Sequence, residues 1–213
     1  MFPLLEADKP NPLELFQIWL NLPKADKLVE PHFTMLWDKD VPRVEQPGVQ
    51  VTVVAGRLAD TAPPKAPPRS WASRPDSNVA IWTIKLAPNA RWTLPAAPGT
   101  NRALYYFRGT QLRAAERSFD EHCGLRLSAE DAVELANTGP DDVELLLLQG
   151  KPIGEPVVQY GPFVMNSPQE IQQAFADYRK DQFGGWPWQS EAPVHAKTEG
   201  RFARHADGRI ERI

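Results

Sequence analysis

Histidine and cysteine are the side chains that most readily bind a metal, move a proton or attack a carbon near neutral pH. The chain carries four histidines, His32, His122, His195 and His205, and a single cysteine, Cys123. The histidines are scattered singly along it. His122 adjoins Cys123, a pairing that suggests a nucleophile with its base. Neighbouring side chains on a strand point to opposite faces, however, so the two are not expected to work together. His32, in Glu30-Pro31-His32-Phe33 with Glu30 and Asp38 nearby, reads as a surface or linker residue. His195 and His205 read as solvated tail residues. No catalytic, cofactor-binding or metal-ligating residue is assigned from this set.

A second group with binding potential is aromatic: Trp82, Trp92, Tyr105, Tyr106 and Phe107. Aromatic walls hold small apolar or phenolic ligands well. Small barrels are usually filled by their own side chains, so these residues are expected as core before cavity.

The elements that must position such residues are mostly short strands. Phe16, Ile18, Leu20 and Leu22 alternate with Gln17, Trp19 and Asn21 until Pro23, a period of two that suits a half-buried strand. Val49, Val51, Val53 and Ala55 share one face, as do Ala80, Trp82, Ile84 and Leu86. Further runs follow at 91–94, 103–107, 125–127, 133–135, 143–148 and 157–160, separated by Gly, Pro and Asp. Such spacing argues for an antiparallel barrel or jelly roll. The proline-dense stretch Ala62 to Ser70 can sustain neither a central strand nor a helix interior and is expected as an exposed loop.

One helix is expected, over about 167–183. Ser167 can cap it, Pro168 fits its first position, and Glu170 stands three residues after the cap. Ile171, Ala174, Phe175 and Tyr178 form one apolar stripe, and Gly184-Gly185 stop the run. Asp207-Gly208 signals a hairpin in the tail.

With 213 residues the chain can bury a sizeable core. Lys plus Arg at 24 against Asp plus Glu at 27 gives a net charge of -3 without a basic block, so direct nucleic-acid binding is not expected. The lone Cys123 excludes an intrachain disulfide, and Met1 to Leu5 is too short for a signal peptide, so a cytoplasmic setting is expected. No apolar run is long enough to span a bilayer.

Gly161-Pro162-Phe163-Val164-Met165-Asn166 resembles a signature of the pirins, two-domain cupin proteins in which this segment leads into a late helix. Phe16-Gln17-Ile18-Trp19-Leu20-Asn21-Leu22-Pro23, Val53-Val54-Ala55-Gly56 and Gly150-Lys151-Pro152-Ile153-Gly154-Glu155-Pro156 stand in the order a pirin presents them. The resemblance implies a mainly β fold, an antiparallel cupin-type barrel with one late amphipathic helix. It covers only the later part of a pirin. Residues 1–23 are accordingly expected as a remnant strand of a missing N-terminal cupin, 24–47 as linker, 48–185 as the C-terminal barrel plus helix, and 186–213 as tail. Met1 falls about where the family's iron-ligand set, three histidines and a glutamate, has just ended, so a truncated pirin is expected.

The cupin pattern places two histidines around one residue, then a glutamate, then a glycine seven positions later. Counted back from Gly109, Arg102 stands at the glutamate position and Ala96 and Pro98 at the histidines. None can donate an electron pair to a metal. If Arg102 points inward it needs a partner such as Glu134 or Glu144. The resulting expectation is a metal-free scaffold or binding module whose partner is an N-terminal cupin half or another protein, with its oligomeric state open. Two alternatives come with the resemblance. One is a share in iron-dependent quercetin 2,3-dioxygenase activity, with Fe only in the missing half, and the other is transcriptional co-regulation through protein contacts.

Overall fold

The computed structural model describes residues 8–186, 188–190, 195–205 and 207–213. It divides into two compact units, Leu36–Gly154 and a second made of the residues before Leu36 together with Glu155–Ile213.

The first unit is a double-sheet antiparallel jelly roll. One sheet has six strands: β1 (Arg43–Gln46), β2 (Val49–Ala55), β3 (Ala80–Leu86), β5 (Asn101–Arg108), β8 (Cys123–Arg126) and β10 (Val143–Gly150), in the order β1-β2-β3-β10-β5-β8. The other has four: β4 (Arg91–Leu94), β6 (Leu112–Ala114), β7 (Arg117–Phe119) and β9 (Val133–Asn137), in the order β4-β9-β6-β7. The period of two expected from the sequence is realised directly. Val49, Val51 and Val53 of β2 face Leu86, Ile84 and Trp82 of β3 across the ladder, the register shifts before Ala55, and these six together with Ala55 and Ala80 are buried. Leu104, Tyr106, Leu145 and Leu147 continue the same interior, and Trp92, Leu94, Leu112 and Leu135 meet it from the second sheet. Each fully buried Leu or Val contributes about 1.5–3 kcal/mol of transfer free energy, which is what fixes the register.

Gly56 shows why the Val-Val-Ala-Gly run ends as it does. Its φ is 75°, and a Cβ there would stand 2.2 Å from the Val79 carbonyl oxygen. Only glycine lets the chain turn that close to β3. The Gly56 carbonyl in turn accepts the indole N–H of buried Trp82 at 3.2 Å.

The second unit holds the hairpin of β11 (Val158–Tyr160) and β12 (Phe163–Met165), the helix α1 (Pro168–Asp181), and a tail hairpin of β13 (Phe202–Arg204) and β14 (Ile210–Arg212). Ser167 caps α1, its hydroxyl accepting the Glu170 N–H at 3.2 Å. Ile171 and Ala174 are buried, and Phe175 sets its ring edge-on to Phe163 at 4.8 Å and to Tyr160 at 5.8 Å. The expected tail hairpin forms around Asp207-Gly208.

Several boundaries differ from the sequence reading. The barrel sheet begins at Arg43, inside the expected linker 24–47, because Pro47-Gly48 turns β1 back onto β2 and Val44 packs on the core. Strand β11, expected among the barrel strands, pairs among the described residues with β12 and not with the barrel sheets. The helix groups with residues before Leu36 rather than with the barrel, so 48–185 is not one unit. α1 ends at Asp181, ahead of Gly184-Gly185, because Gln182 and Phe183 take left-handed backbone angles that set the Phe183 ring against Tyr178 and Phe163. Residues 16–22 carry no strand, since alternation only favours an extended chain and a strand also requires a ladder. Met1 to Leu5, and Pro187 in the expected tail start Trp186-Pro187-Trp188, lie outside the described residues.

Candidate functional site

In the barrel the side chain of interest is Arg102. It is 4% exposed and faces the interior from β5, where alternation places it with Leu104 and Tyr106. Its guanidinium donates to the carbonyls of Pro95 at 2.9 Å, Ser128 at 3.2 Å and Asp131 at 3.4 Å. These carbonyls belong to the loop after β4 and to the connection from β8 to β9, so one cation staples both segments to β5. Glu134 and Glu144, the expected partners, are taken instead by Arg91 and Arg113, and by Arg108. Both glutamates point outward in their strands, and a strand's alternation keeps them from the interior. Burial lowers the pKa of Arg102, and the carbonyls offset that desolvation without a carboxylate.

This geometry is the test of whether a metal fits. Ala96 and Pro98 are exposed in the loop after β4, and the inward position between strand and loop is filled by a hydrogen-bonded guanidinium. Among the described residues no group of three or more His, Cys, Asp or Glu is placed to hold an ion. The side chains at these positions do not fit an iron.

Of the histidines, His32 meets Thr34 Oγ1 at 2.8 Å on the surface. His195 stacks edge-on with Phe202 at 4.7 Å, and His205 lies 3.2 Å from Glu211 Oε2. His122 Nε2 is held by the Gly109 carbonyl at 3.0 Å, and its ring meets that of Tyr106 edge-on at 5.1 Å. That contact orients the ring toward the Gly109 carbonyl and the Tyr106 ring. Trp82, Trp92 and Tyr106 are core, whereas Tyr105 lies on the outer face of β5 with 43% exposure.

The second unit carries a polar cluster that the sequence reading missed. Asn166 Nδ2 donates to Glu155 Oε2 at 3.0 Å and to the Pro156 carbonyl at 2.9 Å. The same Glu155 oxygen accepts the Lys24 N–H at 2.7 Å, while Glu170 accepts the Asn166 N–H at 2.9 Å and pairs with Lys24 Nζ at 2.7 Å. The segments 150–156 and 161–166, the residue just after 16–23 and the first turn of α1 therefore meet at one clamp. Lys24, and then the Asn166 N–H, hold the Glu170 carboxyl below the usual glutamate range. Nearby, Lys27 Nζ donates to Asn21 Oδ1 at 2.6 Å, and burial lowers its pKa. The signal available in the sequence was the Glu-x-x-x-x-x-x-x-x-x-x-Asn separation from Glu155 to Asn166, which has meaning only once the hairpin has folded it back. Ahead of the clamp, the chain presents Leu13, Leu15 and Trp19 at 66%, 70% and 62% exposure, with Phe16, Ile18 and Leu20 also exposed.

Residues 81–184 match the Pirin C-terminal cupin domain. A Pseudomonas aeruginosa protein named "Putative quercetin 2,3-dioxygenase" is 37% identical over 166 residues, 77% of this chain and 57% of its own length. Human Pirin is 31% identical over 187 residues, 85% of this chain and 62% of its own. A crystal structure of a quercetin 2,3-dioxygenase from Acinetobacter baumannii superposes with a TM-score of 0.66 at 28% identity, over 77% of this chain and 55% of that one. The chain thus spans less than two thirds of the length of these relatives. Among the described residues no helix is long and apolar enough to cross a membrane.

Proposed function

The chain carries a pirin-type C-terminal cupin and resembles the C-terminal part of pirins, and from that premise we propose that it is a metal-free cupin shell acting as a binding module. Its docking element is the apolar row from Leu13 to Leu20, and its partner is a complementary cupin half. The observation that carries this reading is the pairing of an exposed apolar row with the clamp just behind it. Leu13, Leu15 and Trp19 are each more than 60% exposed, yet the following Lys24 is pinned through both its N–H and its ammonium. A contiguous exposed apolar row of this kind marks an interaction surface. Within it Phe16, Ile18 and Leu20 alternate, which suits addition to the edge of a partner's sheet.

The test is association with a separately produced N-terminal cupin of a pirin relative, followed by sedimentation. Complex formation that is lost in Leu15→Asp/Trp19→Asp supports the reading. No association by the unaltered chain, or association indifferent to those substitutions, overturns it.

The relatives named as quercetin 2,3-dioxygenases support a second reading, in which such an assembly oxidises a flavonol at iron held by the other half. In that reading the present chain contributes structure, and no oxygen step is assigned to its residues. Flavonol turnover that appears only on mixing the two polypeptides would support it, and no turnover from a complex that does form would remove it. Transcriptional co-regulation through protein contacts rests on the family resemblance alone.

A further inference from the structure

The two sheets of the jelly roll do not join at their edges, which are β1 and β8 in one and β4 and β7 in the other. Strands β7 and β8 are outer strands of their respective sheets and do not pair with each other. Between them lies a cavity of about 800 Å³, within the range that takes small-molecule ligands. Its apolar lining comes from Phe119 of β7 and from Cys123, Leu125 and Leu127, which alternate inward and pack on the barrel core. These four are only partly buried, whereas most of the core they pack on, Leu104, Leu112 and Leu135 among it, is closed off.

Beside this lining stands a polar group with nothing to bond. Tyr106 is 2% exposed, and its hydroxyl has no hydrogen-bond partner. It lies directly opposite Cys123 in the β5–β8 ladder, so the two side chains share the inner face. Its ring edge meets His122, which also lines the cavity. A buried hydroxyl without a partner is costly, and an acceptor entering past Cys123 and His122 relieves that cost.

Charge at the lip narrows the ligand. Four carboxylates, Glu116, Asp120, Glu121 and Asp131, stand there against two guanidiniums, Arg117 and Arg126. Arg117 lies over the Phe119 ring at 5.5 Å, and Asp131 accepts the Ser128 hydroxyl at 2.9 Å. An anion gains nothing by entering past a lip of net negative charge, and the apolar lining offers no carboxylate to a cation. We propose that the seam between β7 and β8 binds a small, uncharged, largely apolar molecule bearing one hydrogen-bond acceptor, with the Tyr106 hydroxyl as donor. This site is separate from the docking row and does not depend on that reading.

The chain's single cysteine is a reporter for it. The probe is 6-propionyl-2-(dimethylamino)naphthalene, uncharged, with one ketone and an emission that shifts to the blue on leaving water. The expected result is saturable, one-to-one binding that slows alkylation of Cys123 by N-ethylmaleimide several-fold. Naphthalene-2-carboxylate should bind at least about tenfold more weakly, because burying its charge is unfavourable. Tyr106→Phe keeps the ring and should weaken the ketone probe by about fivefold, the worth of one net hydrogen bond. Leu125→Trp should fill the space and abolish binding, with folding checked by circular dichroism. Absence of saturable binding, a Cys123 alkylation rate unchanged at saturation, equal binding of the carboxylate, or unweakened binding by Tyr106→Phe would each overturn the proposal.

Discussion

Replacing Arg102 by Met removes the guanidinium while keeping much of the side chain's length. Three hydrogen bonds from a charged donor to the carbonyls of Pro95, Ser128 and Asp131 are lost, at 2.9, 3.2 and 3.4 Å. Bonds involving a charged group are worth about 1.5–3 kcal/mol each, and the longest of these three sits at the weak end of the range. Relief of the desolvation that lowers the Arg102 pKa offsets part of the loss. The net destabilisation is expected at about 3–5 kcal/mol. With a urea slope of roughly 1–3 kcal/mol/M for a domain of this size, the midpoint should fall by about 2 M at unchanged slope. Arg102→Lys should recover only part of this, because one ammonium on a single stem cannot reach three carbonyls set around a planar fork. A midpoint for Arg102→Met within about 0.5 M of the parent would refute the staple, because that shift corresponds to roughly 1 kcal/mol.

Gly109 has φ of 114°, and a Cβ there would stand 2.7 Å from Val143 Cγ2, so Gly109→Ala should cost about 1–3 kcal/mol by the same denaturation assay. The Glu170 carboxyl is held below its ordinary pKa by Lys24 and the Asn166 N–H, so its contribution is complete above the usual glutamate value and is lost as pH falls through the lower folded value. The protection factors of amides in the first turn of α1, exchange rates taken relative to the intrinsic rate at each pH, should therefore fall at acid pH, and Glu170→Gln should remove that fall. An acid response that survives Glu170→Gln would place its origin elsewhere.

Much of the barrel was legible because its signal is local. Val49 to Ala55 and Ala80 to Leu86 alternate cleanly, and the Ser167-Pro168 start of α1 is chemistry within four residues. What the sequence hid is non-local. The fate of Arg102 depends on carbonyls 7, 26 and 29 residues away. Carbonyls are present at every residue, so composition cannot mark the ones that matter, and acidic side chains were the natural but incorrect guess. The clamp joins Lys24 to Glu155 across 131 positions and could not be read from the local sequence around either. Residues 16–22 mislead in the opposite sense, since their pattern is that of a strand while the ladder that would make them one is a tertiary property. The seam between β7 and β8 follows from sheet order, which periodicity does not encode.

The Arg102 guanidinium organises the interior of this barrel through three carbonyls, and among the described residues no cluster of metal-ligating side chains stands beside it. The most direct test is reconstitution of the purified chain with excess Fe(II), followed by desalting and elemental analysis, with Arg102→Met in parallel. Retained iron far below one equivalent in the parent, and no gain of iron in the variant, is the expected result. One firmly held equivalent in the parent chain would contradict it.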